Sequence, residues 1–466
     1  MIKSLYSALL ALGFSAASIC GSAAATSHPN ILIILTDDMG YGDLTCNGPG
    51  VGVQTVNIDK LAKQGTRFTQ YYAPAPICSP SRAGLLTGRF PSTVRLNSYL
   101  QARAGNINCE QDDWLDPEIP TLPRVMKAAG YATAHVGKWH LGGGRDVTTA
   151  PKFAAYGYDE GVGTWESPEP DAKLGIKFAP WDKREEPGQV PRHKRTEYMV
   201  DRSLDFMRRH ATQPWFITLW PDDVHIPHRP SPEMMAKYGA SEDPKKTPRK
   251  NFQGVLEEYD RQIGRLLDSM TTMGLDQKTI VIFASDNGPD PPLGTERTGG
   301  YRGMKMSLYE GGFREPFIIR WPGHVPVGAV NNASLLCGID LFPSLCKMAG
   351  VEVPSDATQG FSGEDMSPAF LGKQQKRTKP LYWEYGRKEN GYGYPQVVNG
   401  RSPNVAVRDG DTKVIINADG SGREVYDIKS NPHETTGSVV AATAKVDEMT
   451  SNALQWRKSL PARQEY

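Results

Sequence analysis

The sequence predicts an α/β protein: a large, mainly parallel sheet sandwiched by helices, followed by a small C-terminal α+β unit containing an antiparallel sheet. Three observations predict it. Short apolar runs alternate with helical patterns along most of the chain, the signature of strand–helix–strand units. The apolar runs are unbroken rather than alternating, as in strands covered on both faces. Beyond Leu371-Gly372 a basic, polar stretch leads into short strand-like runs separated by turns such as Asp409-Gly410 and Asp419-Gly420.

Taken in order, the buried strands are expected at Asn30–Leu35, Tyr131–Val136, Pro214–Trp220 and Thr279–Ala284. Helices are expected at about 57–64, 79–87, 120–129, 196–209, 252–273 and 339–349. Residues 142–195, rich in Gly, Pro and charge, show little periodicity; a loop that long is uncommon unless functional. Strands at 380–383, 405–407, 413–416 and 424–427 and a helix over 442–460 complete the C-terminal unit. The expected organisation is a main domain over 26–375 and a C-terminal subdomain over 376–466.

Lys3, the apolar run Leu5–Ile19 and the small residues Gly21–Ala25 have the order of a secretory signal, residues 1–25. The run is too short to span a bilayer comfortably, so the expectation is an exported protein, periplasmic or secreted, without stable membrane insertion. The net charge of +1 gives no reason to expect nucleic acid as a partner. Of six cysteines, Cys20 would leave with the signal. If Cys78 is set apart, Cys46, Cys109, Cys337 and Cys346 allow three disulfide pairings, and buried free thiols are an equal alternative.

Each buried strand is followed closely by polar residues: Asp37 and Asp38, Lys138 and His140, His225, and Asp286 with Asn287. Ligands of open α/β sheets bind outside the carboxyl ends of the strands, so these segments are expected in one cleft. Asp37, Asp38, Asp286 and Asn287 offer side-chain oxygens only, a donor set for Ca²⁺ or Mg²⁺ rather than Zn²⁺. For any single one of them, helix capping is the simpler reading. Cys78 stands at the expected start of a helix, where negative charge is favoured, and Arg82 falls four residues on along the same face. A buried structural cysteine and a thiolate nucleophile activated by the helix end both fit that position.

Cys78-Ser79-Pro80-Ser81-Arg82, continued by Ala83-Gly84-Leu85-Leu86-Thr87-Gly88-Arg89, resembles the signature of the type I sulfatases, within the alkaline-phosphatase-like superfamily. Further segments resemble that family in order: Thr36–Asp43, Gly137–Gly142, His225-Ile-Pro-His228, Asp286-Asn-Gly288, Arg302–Lys305 with Tyr309-Glu-Gly-Gly312, Trp321-Pro-Gly323, and Tyr426-Asp427 with Asn431-Pro-His-Glu434. The likeness covers nearly the whole mature chain. Two departures are Met304, where Gly is more usual, and Glu315, at a position usually apolar.

The resemblance implies hydrolysis of sulfate esters, with Cys78 oxidised to formylglycine by a separate maturation enzyme. A hydrated aldehyde carries two hydroxyls on one carbon. One attacks sulfur when helped by a cation; the other lets the product collapse and expel sulfate. By resemblance and charge logic, Asp37, Asp38, Asp286, Asn287 and the residue made from Cys78 hold the cation, Ca²⁺ or Mg²⁺. Arg82 and Lys138 support the nucleophile, and Lys138 and Lys305 clamp sulfate oxygens. His225 protonates the leaving alcohol and His140 removes the proton that drives collapse. A sulfated carbohydrate is the expected substrate, with Arg145, Trp165, Arg192, His193, His228 and Arg229 as candidates for a sugar subsite. The rival readings are a phosphodiesterase or phosphonate hydrolase of the same superfamily and, if Cys78 stays a thiol, a protein that binds sulfated glycans without turnover.

Overall fold

A computed structural model of the chain describes residues 28–179, 186–389, 391, 393–395, 400–435 and 443–464. The expected signal, residues 1–25 with Cys20, lies outside the described residues. The strands are, in order, β1 (Asn30–Thr36), β2 (Thr66–Phe68), β3 (Tyr71–Tyr72), β4 (Ala132–Gly137), β5 (Glu160–Gly163), β6 (Trp215–Trp220), β7 (Thr279–Ser285), β8 (Phe317–Arg320), β9 (Ala329–Asn331), β10 (Leu336–Cys337), β11 (Leu381–Glu384), β12 (Val405–Asp409), β13 (Thr412–Ile416) and β14 (Glu424–Asp427).

Eight of these form one sheet in the order β5-β4-β6-β1-β7-β8-β2-β9. From β5 to β7 every pairing is parallel. Strand β8 is reversed, and β2 and β9 resume the first direction. The unbroken apolar runs are explained by two cores. Ile31, Ile33 and Leu35 of β1, with Ile280 and Ile282 of β7, enter one core with the helices Cys78–Thr87, Leu122–Ala128 and Leu341–Ala349. Leu32 and Ile34, with Val281 and Phe283, enter the other with the helices Val56–Gln64, Arg195–Arg209 and Pro248–Thr272. Alternate residues of one strand thus serve opposite faces, and the few polar positions, such as His135 of β4 and Thr218 of β6, are buried and bonded to each other.

The expected helices appear with their ends shifted by at most four residues, and the helices Arg103–Asn108, Pro232–Tyr238, Ser355–Thr358 and Ser367–Phe370 are additions. Strands β2, β5 and β9 are too short to show a period. Strand β5 corrects the expectation of a structureless 142–195 segment: it is the edge of the main sheet and needs a partner on one side only. The five described cysteines are all free thiols, so there is no disulfide among the described residues. No described helix is long and apolar enough to cross a membrane.

Strands β11 to β14 form a separate antiparallel meander. One face packs on the helix Ala444–Ser459 through Val405, Val407, Val414 and Val446. The other, through Trp383, Ala406 and Ile415, packs against Tyr72, Ala73, Ile77 and Cys78. The small sheet therefore backs the segment that carries Cys78.

Two of the sequence motifs meet here. Lys413 of β13 is fully buried, with Nζ 2.8 Å from both Glu310 Oε1 and Glu434 Oε1. Arg314 Nη1 lies 3.2 Å from Glu310 Oε2, and the Tyr72 hydroxyl also donates to Glu310. By contrast Glu315 is wholly buried and neither carboxyl oxygen has a hydrogen-bond partner among the described residues. Burial, with repulsion from Asp43 and Asp286, pushes its carboxyl far up.

Lys413→Met takes a cation from both buried carboxylates, leaving Glu310 only its arginines and Glu434 without its cation, and is expected to cost about 3–5 kcal/mol in denaturant unfolding. A loss below about 1 kcal/mol would show that the cluster does not hold the two sheets together.

Candidate active site

Strands β4, β6, β1 and β7 are neighbours and parallel, so their carboxyl ends open on one edge. Asp37 and Asp38 follow β1, Lys138 and His140 follow β4, His225 follows β6, and Asp286 and Asn287 follow β7. The turn after β4 needs its glycine: a Cβ on Gly137 would lie 2.1 Å from the Trp220 carbonyl oxygen, and its φ is +117°. Asp38 and His140 are themselves left-handed, at φ 62° and 55°, a strained geometry found where a side chain must be aimed.

Three carboxylates and three cations interlock at this edge. Arg82 Nε and Nη2 reach Asp286 Oδ2 at 3.0 and 2.6 Å, and Arg82 Nη2 lies 3.4 Å from Asp37 Oδ1. Lys138 Nζ reaches Asp37 Oδ2 at 2.8 Å, and Lys305 Nζ reaches Asp38 Oδ2 at 2.6 Å. Asn287 Nδ2 donates to Asp38 Oδ1 at 2.7 Å. Asp37, Asp38 and Asp286 are essentially without solvent contact. Burial pushes Asp37 and Asp38 up, but the positive groups around them together, Lys138 foremost for the first and Lys305 for the second, outweigh it and hold both below the usual carboxylate range. Asp286 goes the other way: burial, aided by Asp37 and Asp38, wins over Arg82 and raises it. Cations and carboxylates match in number, so the raised Asp286 reflects burial first.

A further cation fits the oxygens left over. Asp37 Oδ1 and Asn287 Oδ1 are buried oxygens that accept no hydrogen bond from the described residues. Asp37, Asp38 and His225 each place a ligand-type atom within 4.8 Å of the others. The oxygens suit a hard divalent ion; His225 does not.

Cys78 is the first residue of its helix and is 2% exposed. Its Sγ lies 3.3 Å from His140 Nδ1. Burial pushes the thiol up to about 11, even with Lys138 and Lys305 pulling it down. An ordinary thiolate nucleophile is therefore disfavoured here despite the helix end. Burial also lowers His140 to about 3, against the opposing charge of Glu166. His225, whose side chain is 18% exposed, bonds Ile226 O through Nδ1 and points Nε2 toward Asp38 at 3.7 Å. Burial, then Lys305, lowers it as well.

These groups face a cavity of about 520 Å³. Cys78, Lys138, His140, His225 and Lys305 line it, and so do Arg145 and Trp165 from the expected sugar subsite. The other four subsite candidates do not. Arg192 is turned inward onto Asp222 at 2.8 Å, and His228 bonds Val224 O and packs edge-on against Phe252. His193 and Arg229 are also absent from the lining. Sequence reasoning missed Glu166 and Asp290, two carboxylates in the wall. Each is next to a residue already singled out or a motif already quoted, but a lone acidic residue in a loop carries no pattern.

The sulfatase family model matches residues 29–351. The chain belongs to the sulfatase family. It is a type I sulfatase and a sulfuric ester hydrolase. A second model, described as N-sulphoglucosamine sulphohydrolase, C-terminal, matches residues 301–458 of this sulfatase. N-acetylgalactosamine-6-sulfatase of Sus scrofa is 34% identical over 411 residues, 81% of this chain and 72% of the relative. Arylsulfatase A of Homo sapiens is 30% identical, covering 90% of this chain and 85% of that one. In fold, the sulfatase resembles the crystal structure of Ps i-CgsB in complex with k-i-k-neocarrahexaose, with TM-score 0.74, 24% identity, and 93% and 94% of the two chains covered.

Where Cys78 has not been modified, iodoacetamide at neutral pH is expected to label it in unfolded protein and to leave it untouched in folded protein. Rapid labelling of the folded form, read by peptide mass spectrometry, would restore the thiolate reading.

Proposed function

We propose that this sulfatase removes sulfate from a sulfated carbohydrate outside the cytoplasm, with a formylglycine made from Cys78 as nucleophile and Ca²⁺ or Mg²⁺ as cofactor. The observation that carries the reading is the position of Cys78. It stands beside His140 on the floor of a cavity that also holds Lys138, Lys305 and His225, groups that sulfate transfer needs. The carbohydrate rests on the relative named N-acetylgalactosamine-6-sulfatase and on Trp165, an aromatic wall able to pack on a sugar ring. Export rests on the signal-like order of residues 1–25.

In this reading Asp37, Asp38, Asp286, Asn287 and the residue made from Cys78 hold the cation. The cation, when bound, makes a hydroxyl it touches more acidic and offsets the charge of the carboxylates. Arg82, fixed by Asp286 and by its bond to Lys138 O at 2.7 Å, keeps the nucleophile's surroundings positive. Lys138 and Lys305 bind the sulfate oxygens, exchanging part of their hold on Asp37 and Asp38 for the new anion. Burial and Lys305 lower the proton affinity of His225. A bound sulfate anion raises its proton affinity, which suits it to protonate the leaving alcohol. His140, neutral through burial, offers Nδ1 as the base at the nucleophile.

The test is turnover. Para-nitrophenyl sulfate should be cleaved well ahead of bis(para-nitrophenyl) phosphate, and an N-acetylgalactosamine 6-sulfate saccharide ahead of both. EDTA should abolish turnover and Ca²⁺ or Mg²⁺ restore it. Cys78→Ala should lower kcat by roughly 10⁴-fold or more. Preference for the phosphodiester, or indifference to EDTA, would contradict the reading.

A further inference from the structure

Glu166 has no place in the mechanism above, yet it touches His140 twice. Its backbone carbonyl accepts the His140 N–H at 3.0 Å. Its carboxylate Oε1 lies 3.2 Å from His140 Nε2, and both side chains are 5% exposed. Nε2 also lies 3.0 Å from Leu100 O. Two acceptors on one ring nitrogen put the proton on Nε2, because neither oxygen has a hydrogen to give. That leaves Nδ1 as a lone pair, aimed at Cys78 Sγ from 3.3 Å.

Arg145 fastens both acceptors. Its Nη2 reaches Glu166 Oε1 at 2.8 Å and its Nη1 reaches Leu100 O at 3.3 Å. The guanidinium lies 5.0 Å over the Trp165 ring. Burial pushes the Glu166 carboxyl up, but the positive groups around it, Lys138 and the hydrogen-bonded Arg145 among them, hold it below its usual range. An ionised acceptor is therefore kept against the imidazole with almost no water. The sequence expects Arg145 to bind sugar; in the structure its fork is already engaged at the back of the catalytic histidine.

We propose that Glu166, clamped by Arg145, is a positioning residue that sets the tautomer and aim of His140, so that Nδ1 faces the group derived from Cys78. The arrangement is nucleophile, imidazole and carboxylate in line, the logic of a hydrolase triad built at a sulfatase centre. It rests on the reading of His140 as the base. Losing the carboxylate is expected to harm the chemical step more than substrate capture, since Glu166 Oε1, though in the cavity wall, is held by His140 and Arg145.

The experiment uses para-nitrophenyl sulfate and protein from a host that yields active wild type. Glu166→Gln is expected to lower kcat about 10²-fold, within the range of general-base effects, with KM changed by less than about twofold. In a His140→Ala background the same substitution is expected to cost nothing more, because groups acting as one unit are not additive. An equal loss in both backgrounds, or a rise in KM alone, overturns the proposal and makes Glu166 structural or substrate-binding. If Glu166→Gln does not fold, Arg145→Lys asks the same question. It keeps the charge but not the fork, and should lower kcat while sparing KM; a KM effect alone is again fatal. Wild type that releases no para-nitrophenol, nor sulfate from the saccharide, would instead sink the assignment of His140 as a catalytic base, and this proposal with it.

Discussion

Everything at this site depends on burying like charges together. Asp37, Asp38 and Asp286 stand at the ends of adjacent parallel strands with almost no water. Such carboxylates stay ionised only beside cations, and removing one partner leaves an uncompensated buried charge. Arg82, Lys138 and Lys305 meet that need from three separate segments: the Cys78 helix, the end of β4 and the loop before β8. The ion pairs thus fix where those segments lie, and with them Cys78 and His140. The cations match the carboxylates in number, and a divalent ion fits at the buried oxygens of Asp37 and Asn287 that accept no hydrogen bond from the described residues.

The rest of the fold keeps that cluster dry and rigid. Two apolar cores cover the sheet, and the C-terminal meander closes the side behind Cys78. The meander is pinned by Lys413 between Glu310 and Glu434, which joins the loop after Lys305 to the last strands. The cavity is accordingly uneven. Its floor is cationic where sulfate would sit; its walls are apolar at Ile77, Ile226, Trp165 and Met306 and acidic at Asp290 and Glu166. Such walls suit a largely uncharged sugar carrying one sulfate better than a densely sulfated one.

The central strands were legible because burial on both faces writes an unbroken apolar run. The strand-end residues were legible because parallel strands bring their carboxyl ends together, so Asp37, Lys138, His225 and Asp286 could be assigned to one cleft before any coordinates. The edge strand β5 was not legible, since Glu160–Gly163 contains two glycines and needs one partner only. Nor was the work of Arg145. A loop arginine reads equally as ligand, solvated charge or internal anchor, and only the distances to Glu166 and Leu100 separate these. Arg192 and His228 failed as cavity residues for a related reason: polar side chains near a site are as readily spent on holding the loops as on the substrate.

The most direct measurement is a mass spectrum of the tryptic peptide Phe68–Arg82 from protein made in its native host. The account predicts the mass of an aldehyde in place of the Cys78 thiol. An unmodified thiol in active protein would contradict it, for burial leaves that thiol no means of acting as the nucleophile.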